Sequence, residues 1–237
     1  MRDIITIPLN NEESLIIASD NSGGIGMKAG DHVQVSYETI AYYSFRVAAM
    51  ECIATGGEPV SVVLHNFCGD NTWNELVNGI QKGLAELKIE DVPITGSTES
   101  NFDLQQSAVG LVVLGKMALS KISEKTFSND LKFAVIGSPL VGNEVIENKD
   151  QVVPLSVFLE VTKIREILVW PVGSKGILYE LNQMFTNTEF TKDMLNTNLD
   201  VLKSSGPSTC FIIAFEKDQE EALKKIANAY YHTITIK

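Results

Sequence analysis

Several things are scarce in this sequence, and each scarcity excludes a class of protein. Of 237 residues only three are cysteines. Cys52, Cys68 and Cys210 are scattered and form no Cys-x-x-Cys pair, which argues against a disulfide framework and against a zinc site. They read as buried thiols. Basic residues are also few: 19 Lys and Arg stand against 30 Asp and Glu, a formal charge of −11. That balance repels phosphodiester backbones and argues against a nucleic-acid partner. A substrate carrying phosphates would need metal ions for charge neutralisation, and carboxylates placed to hold them. No apolar run exceeds the length of a strand, so no membrane span is expected. Met1 to Pro8 lacks the apolar core and small-residue cleavage site of a secretory signal. That segment reads as the start of the fold, and the protein as cytoplasmic.

What is present is globular material, 44% hydrophobic and 21% charged, enough for one large domain or two small ones. Ile4 to Leu9 and Leu15 to Ser19 read as paired strands joined by a polar turn, with a short third strand at Val33 to Val35. Glu38 to Thr55 is apolar almost all round and closes on Gly56-Gly57, as a buried helix does. Val60 to Leu64 reads as an interior strand, Asn74 to Leu87 as an amphipathic helix and Ala108 to Leu114 as a further strand. The chain turns polar from Ser120 to Asp130, which sets a domain boundary and divides the chain into 1–122 and 123–237. The second half repeats the mixed α/β character, with strands at Phe133 to Ile136, Phe211 to Phe215 and Thr233 to Ile236. Helices are expected near Leu155 to Thr162, Ile177 to Phe185 and Gln219 to Tyr230.

Two glycine patterns fail as nucleotide motifs. Gly24-Ile25-Gly26-Met27-Lys28-Ala29 has the dinucleotide spacing but leads into a strand where a helix is required. Gly137 to Gly142 has the spacing of a phosphate loop, with Asn143-Glu144 where Lys and Ser/Thr belong. Two other elements read as glycine-rich turns at strand ends: Asp20-Asn21-Ser22-Gly23-Gly24 and Gly96-Ser97-Thr98-Glu99-Ser100-Asn101. Taken alone, each is equally a plain polar turn whose side chains serve their own backbone. Glu51 is the carboxylate inside an otherwise apolar helix, and burying it unpaired is very costly. It needs either a cation or a basic partner, for which Arg46 is the local choice. Gly173-Ser174-Lys175-Gly176 precedes a helix and offers amides, a hydroxyl and an ammonium to an anion, or is a simple strand-to-helix turn. His65, at a strand end, is a further candidate.

In order, these pieces resemble the aminoimidazole ribonucleotide (AIR) synthetase superfamily, over most of the chain. Leu15 to Asp20 resembles the family strand that ends in a metal-binding Asp. Glu51 to Pro59 is similar to a helix end with an acidic residue five positions before a Gly-x-x-Pro turn. Thr95 to Thr98 resembles the Gly-Gly-Asp/Glu-Thr element, and Val172 to Ile177 the Ser-Asp-Gly-Leu element. The resemblance implies a two-domain α/β fold whose N-terminal mixed sheet pairs in a homodimer, followed by a C-terminal α/β domain. It implies ATP and Mg2+ as cofactors. The metal ligands would be Asp3, Asp20, Glu51 and Glu99, with Asn21, Gly24, Lys28, Gly96, Ser97, Thr98 and Asn101 at the nucleotide. Gly173, Ser174 and Gly176 would face the substrate, and Asp20 and Lys175 would be catalytic. Departures are Glu51 for Asp, Ser97 for an acidic residue and Lys175 for Asp. Within the superfamily the chain looks most like the α-ribazole kinases, which implies phosphoryl transfer from ATP to a nucleoside. The alternatives are a thiamine-monophosphate kinase-like enzyme and a non-catalytic ATP-binding scaffold.

Overall fold

The computed structural model describes residues 4–118 and 126–237, which fall in two compact units of mixed α and β structure. All three cysteines are buried and unbridged. Among the described residues no helix is long and apolar enough to cross a membrane.

The first unit opens with β1 (Ile4–Pro8) and β2 (Glu13–Gly23), paired antiparallel. The short strands β3 (Ile25–Gly26) and β4 (Val33–Gln34) pair in parallel and bring the chain to α1 (Tyr37–Ala54). The side chain of Ser36 caps α1 by accepting the Thr39 amide, which satisfies one of the donors a helix start leaves free. β5 (Glu58–Asn66), α2 (Trp73–Glu86) and β6 (Ile94–Thr98) follow, with β5 and β6 parallel as a crossover helix requires. The last strand, β7 (Ala108–Ala118), inserts between β2 and β5 to give the order β1-β2-β7-β5-β6. One face of this sheet packs on α1 through Ile16, Ala18, Val62, Leu64, Leu111 and Val113, all buried. The opposite face carries Leu15, Ile17, Val112 and Leu114 half-buried, and on β1 the exposed Ile5 and Ile7.

Here the two expected glycine turns are corrected. Asp20 to Gly23 is still strand, paired with Leu111 to Ala108 of β7, and Gly96 to Thr98 is strand paired with Leu64 to Asn66. The turn preferences of these residues are overridden by the backbone hydrogen bonds that the neighbouring strands supply. Gly96 is required in its place for a different reason than ligand approach: a Cβ there would collide with the Leu64 carbonyl.

The second unit holds β8 (Lys132–Ile136), α3 (Glu144–Glu147), α4 (Leu155–Thr162), β9 (Leu168–Pro171) and α5 (Gly176–Met184). β10 (Leu195–Asn196), β11 (Phe211–Phe215), α6 (Glu220–Ala227) and β12 (Tyr231–Ile236) complete it. Its antiparallel sheet runs β10-β12-β8-β11-β9. β11 is buried along its whole length, which is why it reads as an unbroken apolar run. One face meets α5 through Phe133, Val135, Ile212 and Ile234, with Phe185 and Phe190 edge-on to Phe133.

Candidate functional site

Strands β2, β5 and β6 all end, and β7 begins, at one edge of the first sheet. The register places Asp20, Leu111, Leu64 and Gly96 in a single row across four strands. At the usual strand spacing that row puts the backbones of Asp20 and Gly96 about 14 Å apart. The two elements therefore share an edge while lying too far apart to close on one ion.

Asp20 points to the α1 face and is half-buried beside Ser44, whose hydroxyl it accepts together with the Asn21 amide. Desolvation outweighs those two bonds and pushes its carboxyl up to about 7. Glu51 is half-buried near the end of α1. Arg46, its local alternative partner, is fully buried and lies against Tyr42, whose hydroxyl donates to Glu86 Oε2 at 2.6 Å. Glu99 begins the turn after β6, and its Oε1 accepts the amides of Asn101 at 2.7 Å and Phe102 at 3.3 Å. One oxygen of this expected ligand thus caps its own turn, as a plain polar turn does. Asn101 itself is exposed. Asp3 lies outside the described residues. Among the described residues, no group of three or more His, Cys, Asp and Glu side chains is placed to hold a metal ion. Magnesium asks for only one or two carboxylates when phosphate oxygens and water complete its shell. A desolvated Asp20 fits that requirement.

The loops at this edge are fastened by residues that no sequence motif singles out. Asp31 is buried and accepts the Lys28 amide at 2.9 Å, the Ser107 amide at 2.7 Å and the Ser107 hydroxyl at 2.7 Å. Those bonds outweigh its desolvation and hold its carboxyl below the ordinary range. Lys28, expected at the nucleotide, donates its ammonium to the carbonyls of Phe67 at 3.3 Å and Leu104 at 3.0 Å. Asn66, also buried, donates to Gly69 O and Thr98 Oγ1 and accepts the Cys68 amide, tying the ends of β5 and β6 together. A strand-end Asn beside His65 was the one available signal for that role. Gly24 packs against His32 and Gln106. Asn21 and Ser97 are exposed on the face away from α1, in one row with Gly110 and His65.

In the second unit, Gly173 to Gly176 follows β9. The Lys175 ammonium donates to Tyr179 Oη at 3.1 Å and lies 4.3 Å from the centre of that ring, so the side chain runs along the first turn of α5. Ser174 is exposed, while Gly176 is buried against the Lys203 carbonyl and Gly173 O accepts the Ser205 amide. The Gly137 to Gly142 loop spends its amides internally, Ser138 on Gln151 O, Leu140 on Thr209 Oγ1 and Val141 on Glu144 Oε2. Glu144 pairs with Lys203 at 2.9 Å. A loop with its donors used in this way is no phosphate cradle, as the sequence indicated.

No family model and no curated protein matches the sequence. Solved structures do match. PurL from T. maritima complexed with ADP aligns at a TM-score of 0.62 and 11% identity over 100% of this chain and 42% of that one. The protein tt0281 from Thermus thermophilus aligns at 0.61 and 12% identity, covering 100% and 87%. HypE from E. coli aligns at 0.59 and 10% identity, covering 93% and 80%. The chain spans about two-fifths of the PurL chains it matches. Two mixed α and β units, and likeness to PurL over 100% and to HypE over 93% of this chain, mark it as having the AIR synthase-like fold.

Proposed function

We infer that the protein is an ATP-using, magnesium-dependent kinase that moves the γ-phosphoryl of ATP to the ribose hydroxyl of a nucleoside such as α-ribazole. The observation that carries this reading is the shared edge: a desolvated carboxylate on β2 and Gly96 on β6 lie in one row about 14 Å apart, a span that suits an extended triphosphate better than a lone ion. PurL of the same fold has been solved with ADP, AMPPCP and ATP, which supports a nucleotide here. Bound magnesium would neutralise phosphate charge during transfer. Asp20 would hold one ion at the β2 side of this edge and the second oxygen of Glu99 another at the β6 side, with Glu51 and Asp3 as the other carboxylates proposed for metal. Asn21, Gly24, Lys28, Gly96, Ser97, Thr98 and Asn101 line the nucleotide, Lys28 by fixing the two loops it bridges. For the second unit the resemblance supplies the roles: Lys175, hydrogen-bonded to Tyr179, as a catalytic cation, and Gly173, Ser174 and Gly176 for the acceptor. Phosphoryl transfer asks little more of a protein than such positioning.

A second reading, an ATP-binding scaffold without catalysis, is favoured by Glu99 capping its own turn and by Ser97 standing where the resembling family carries an acid. An ATP-consumption assay separates the readings. Turnover with α-ribazole and none with thiamine monophosphate or without acceptor is expected; turnover with thiamine monophosphate alone points to that kinase, and silence with every acceptor points to the scaffold.

A further inference from the structure

Asn66 closes β5 on the α1 face of the first sheet and is only 1% exposed. Two of its partners fix which way its side-chain amide is turned. Oδ1 accepts the Cys68 amide at 2.8 Å, a group that can only donate, and Nδ2 donates to the Gly69 carbonyl at 3.0 Å, a group that can only accept. The remaining N–H of Nδ2 is then aimed at Thr98 Oγ1, 3.1 Å away. In this pair the hydroxyl oxygen of Thr98 accepts.

A hydroxyl carries a single proton. With Asn66 serving its oxygen, Thr98 keeps that proton to donate, and among the described residues nothing accepts it. Thr98 is half-buried and level with Asn66 in the parallel β5–β6 register, two residues beyond Gly96. Side chains alternate along a strand, so Thr98 shares the face of Gly96 and Asp20 while Ser97 points the other way. Other donors near this strand end are already engaged. The Lys28 ammonium serves the carbonyls of Phe67 and Leu104, and the Glu99 amide serves the carbonyl of Asn66.

We propose that Asn66 is a positioning residue for the ligand of this edge: it sets the Thr98 hydroxyl as a donor, and a phosphate oxygen of the bound nucleotide takes the proton in a hydrogen bond. The row from Asp20 to Gly96, which suits an extended triphosphate, ends beside Thr98. A phosphate oxygen there is an acceptor with negative charge, and a hydrogen bond to such an atom is about twice as strong as one between neutral groups. Asn66 itself, buried and fully engaged, touches no ligand. The inference rests on the nucleotide-binding part of the kinase reading and adds to it the residue that aims the contact.

Calorimetric titration of the full chain with ATP in magnesium, and with inorganic tripolyphosphate, tests it. Thr98→Val, which keeps the shape and removes the hydroxyl, weakens both ligands by about tenfold or more, the scale of a hydrogen bond to a charged group. Thr98→Ser recovers most of that loss. Asn66→Ser gives up the bond to Thr98 and weakens both ligands in the wild-type background, while Gly69 O keeps the Thr72 hydroxyl at 2.8 Å. Added to Thr98→Val, it costs no further affinity, because its effect runs through the hydroxyl that is already gone. An Asn66→Ser loss of equal size in both backgrounds would show a merely structural residue and overturn the inference. So would a loss confined to ATP and absent with tripolyphosphate, or a wild type that binds neither at millimolar concentration. Should Asn66→Ser not fold, the Thr98 pair decides: equal affinities in Thr98→Val and wild type overturn the inference and leave the kinase reading intact. Binding that obeys these variants, without turnover on any acceptor, leaves the inference standing and removes the kinase reading.

Discussion

Two carboxylates in the first unit show how environment divides one residue type into two roles. Asp31 collects three short hydrogen bonds and is held ionised, a fastener for the loops after β3 and before β7. Asp31→Ala leaves the Ser107 and Lys28 donors unserved in a buried site, and should lower unfolding free energy by about 2–4 kcal/mol in urea titration. Asp20 lies at the other extreme, its carboxyl raised from 3.8 to about 7. The folded state then binds more protons than the unfolded state between those values, so stability falls as pH rises through that window. Asp20→Asn removes this titration. Its melting temperature should vary less than that of the wild type between about pH 4 and pH 8 and exceed it at pH 8 by about 2 °C or more; parallel pH profiles would show that the buried carboxyl does not titrate as described. Neither role could be read in one dimension, because both depend on Ser44 and Ser107, which have no sequence signature of their own.

At the scale of elements, the longer helices and most strands were legible, since a long apolar run and the Gly56 stop mark α1, and the spacing of Leu76, Ile80 and Leu84 marks α2. The strand ends were not. Asp-Asn-Ser-Gly and Gly-Ser-Thr carry turn preferences, yet both segments are extended because β7 and β5 lie alongside them. A neighbour distant along the chain decides the conformation in each case, and single-sequence propensity cannot see it. The same pairing makes Gly96 essential to the element. Gly96→Ala should push β6 off β5 at Leu64 and expose the segment after α2 to limited proteolysis; a cleavage pattern equal to the wild type's would show that the strand accommodates the methyl. β9 was missed because Leu168 to Pro171 is short and ends in proline, a pattern that suits an edge strand.

For the molecule as a whole, the face of the first sheet turned away from α1 carries exposed apolar side chains. Ile5 is 60% exposed and Ile7 42%, beside half-buried Leu15 and Ile17 on the paired strand. An apolar sheet face of this kind marks an interaction surface, and the implied homodimer through the N-terminal unit would cover it. The double variant Ile5→Lys, Ile7→Lys should sediment as a monomer at concentrations where the wild type is a dimer, with its far-ultraviolet circular dichroism unchanged. A monomeric wild type would remove the dimer from the account.

The position of β7 also has a consequence for how the chain comes to be folded. It is the last strand of its unit in sequence and the central one in space, lying between β2 and β5. During synthesis the β1–β2 hairpin and the β5–α2–β6 crossover both leave the ribosome before the strand that joins them exists. The ladder edges of β2 and β5 must wait, unpaired, for residues 108–118. Pairings this far apart along the chain are slow to close and aggregation-prone until they do. The first unit is thus assembled from its flanks inward, and its cohesion arrives with its final strand.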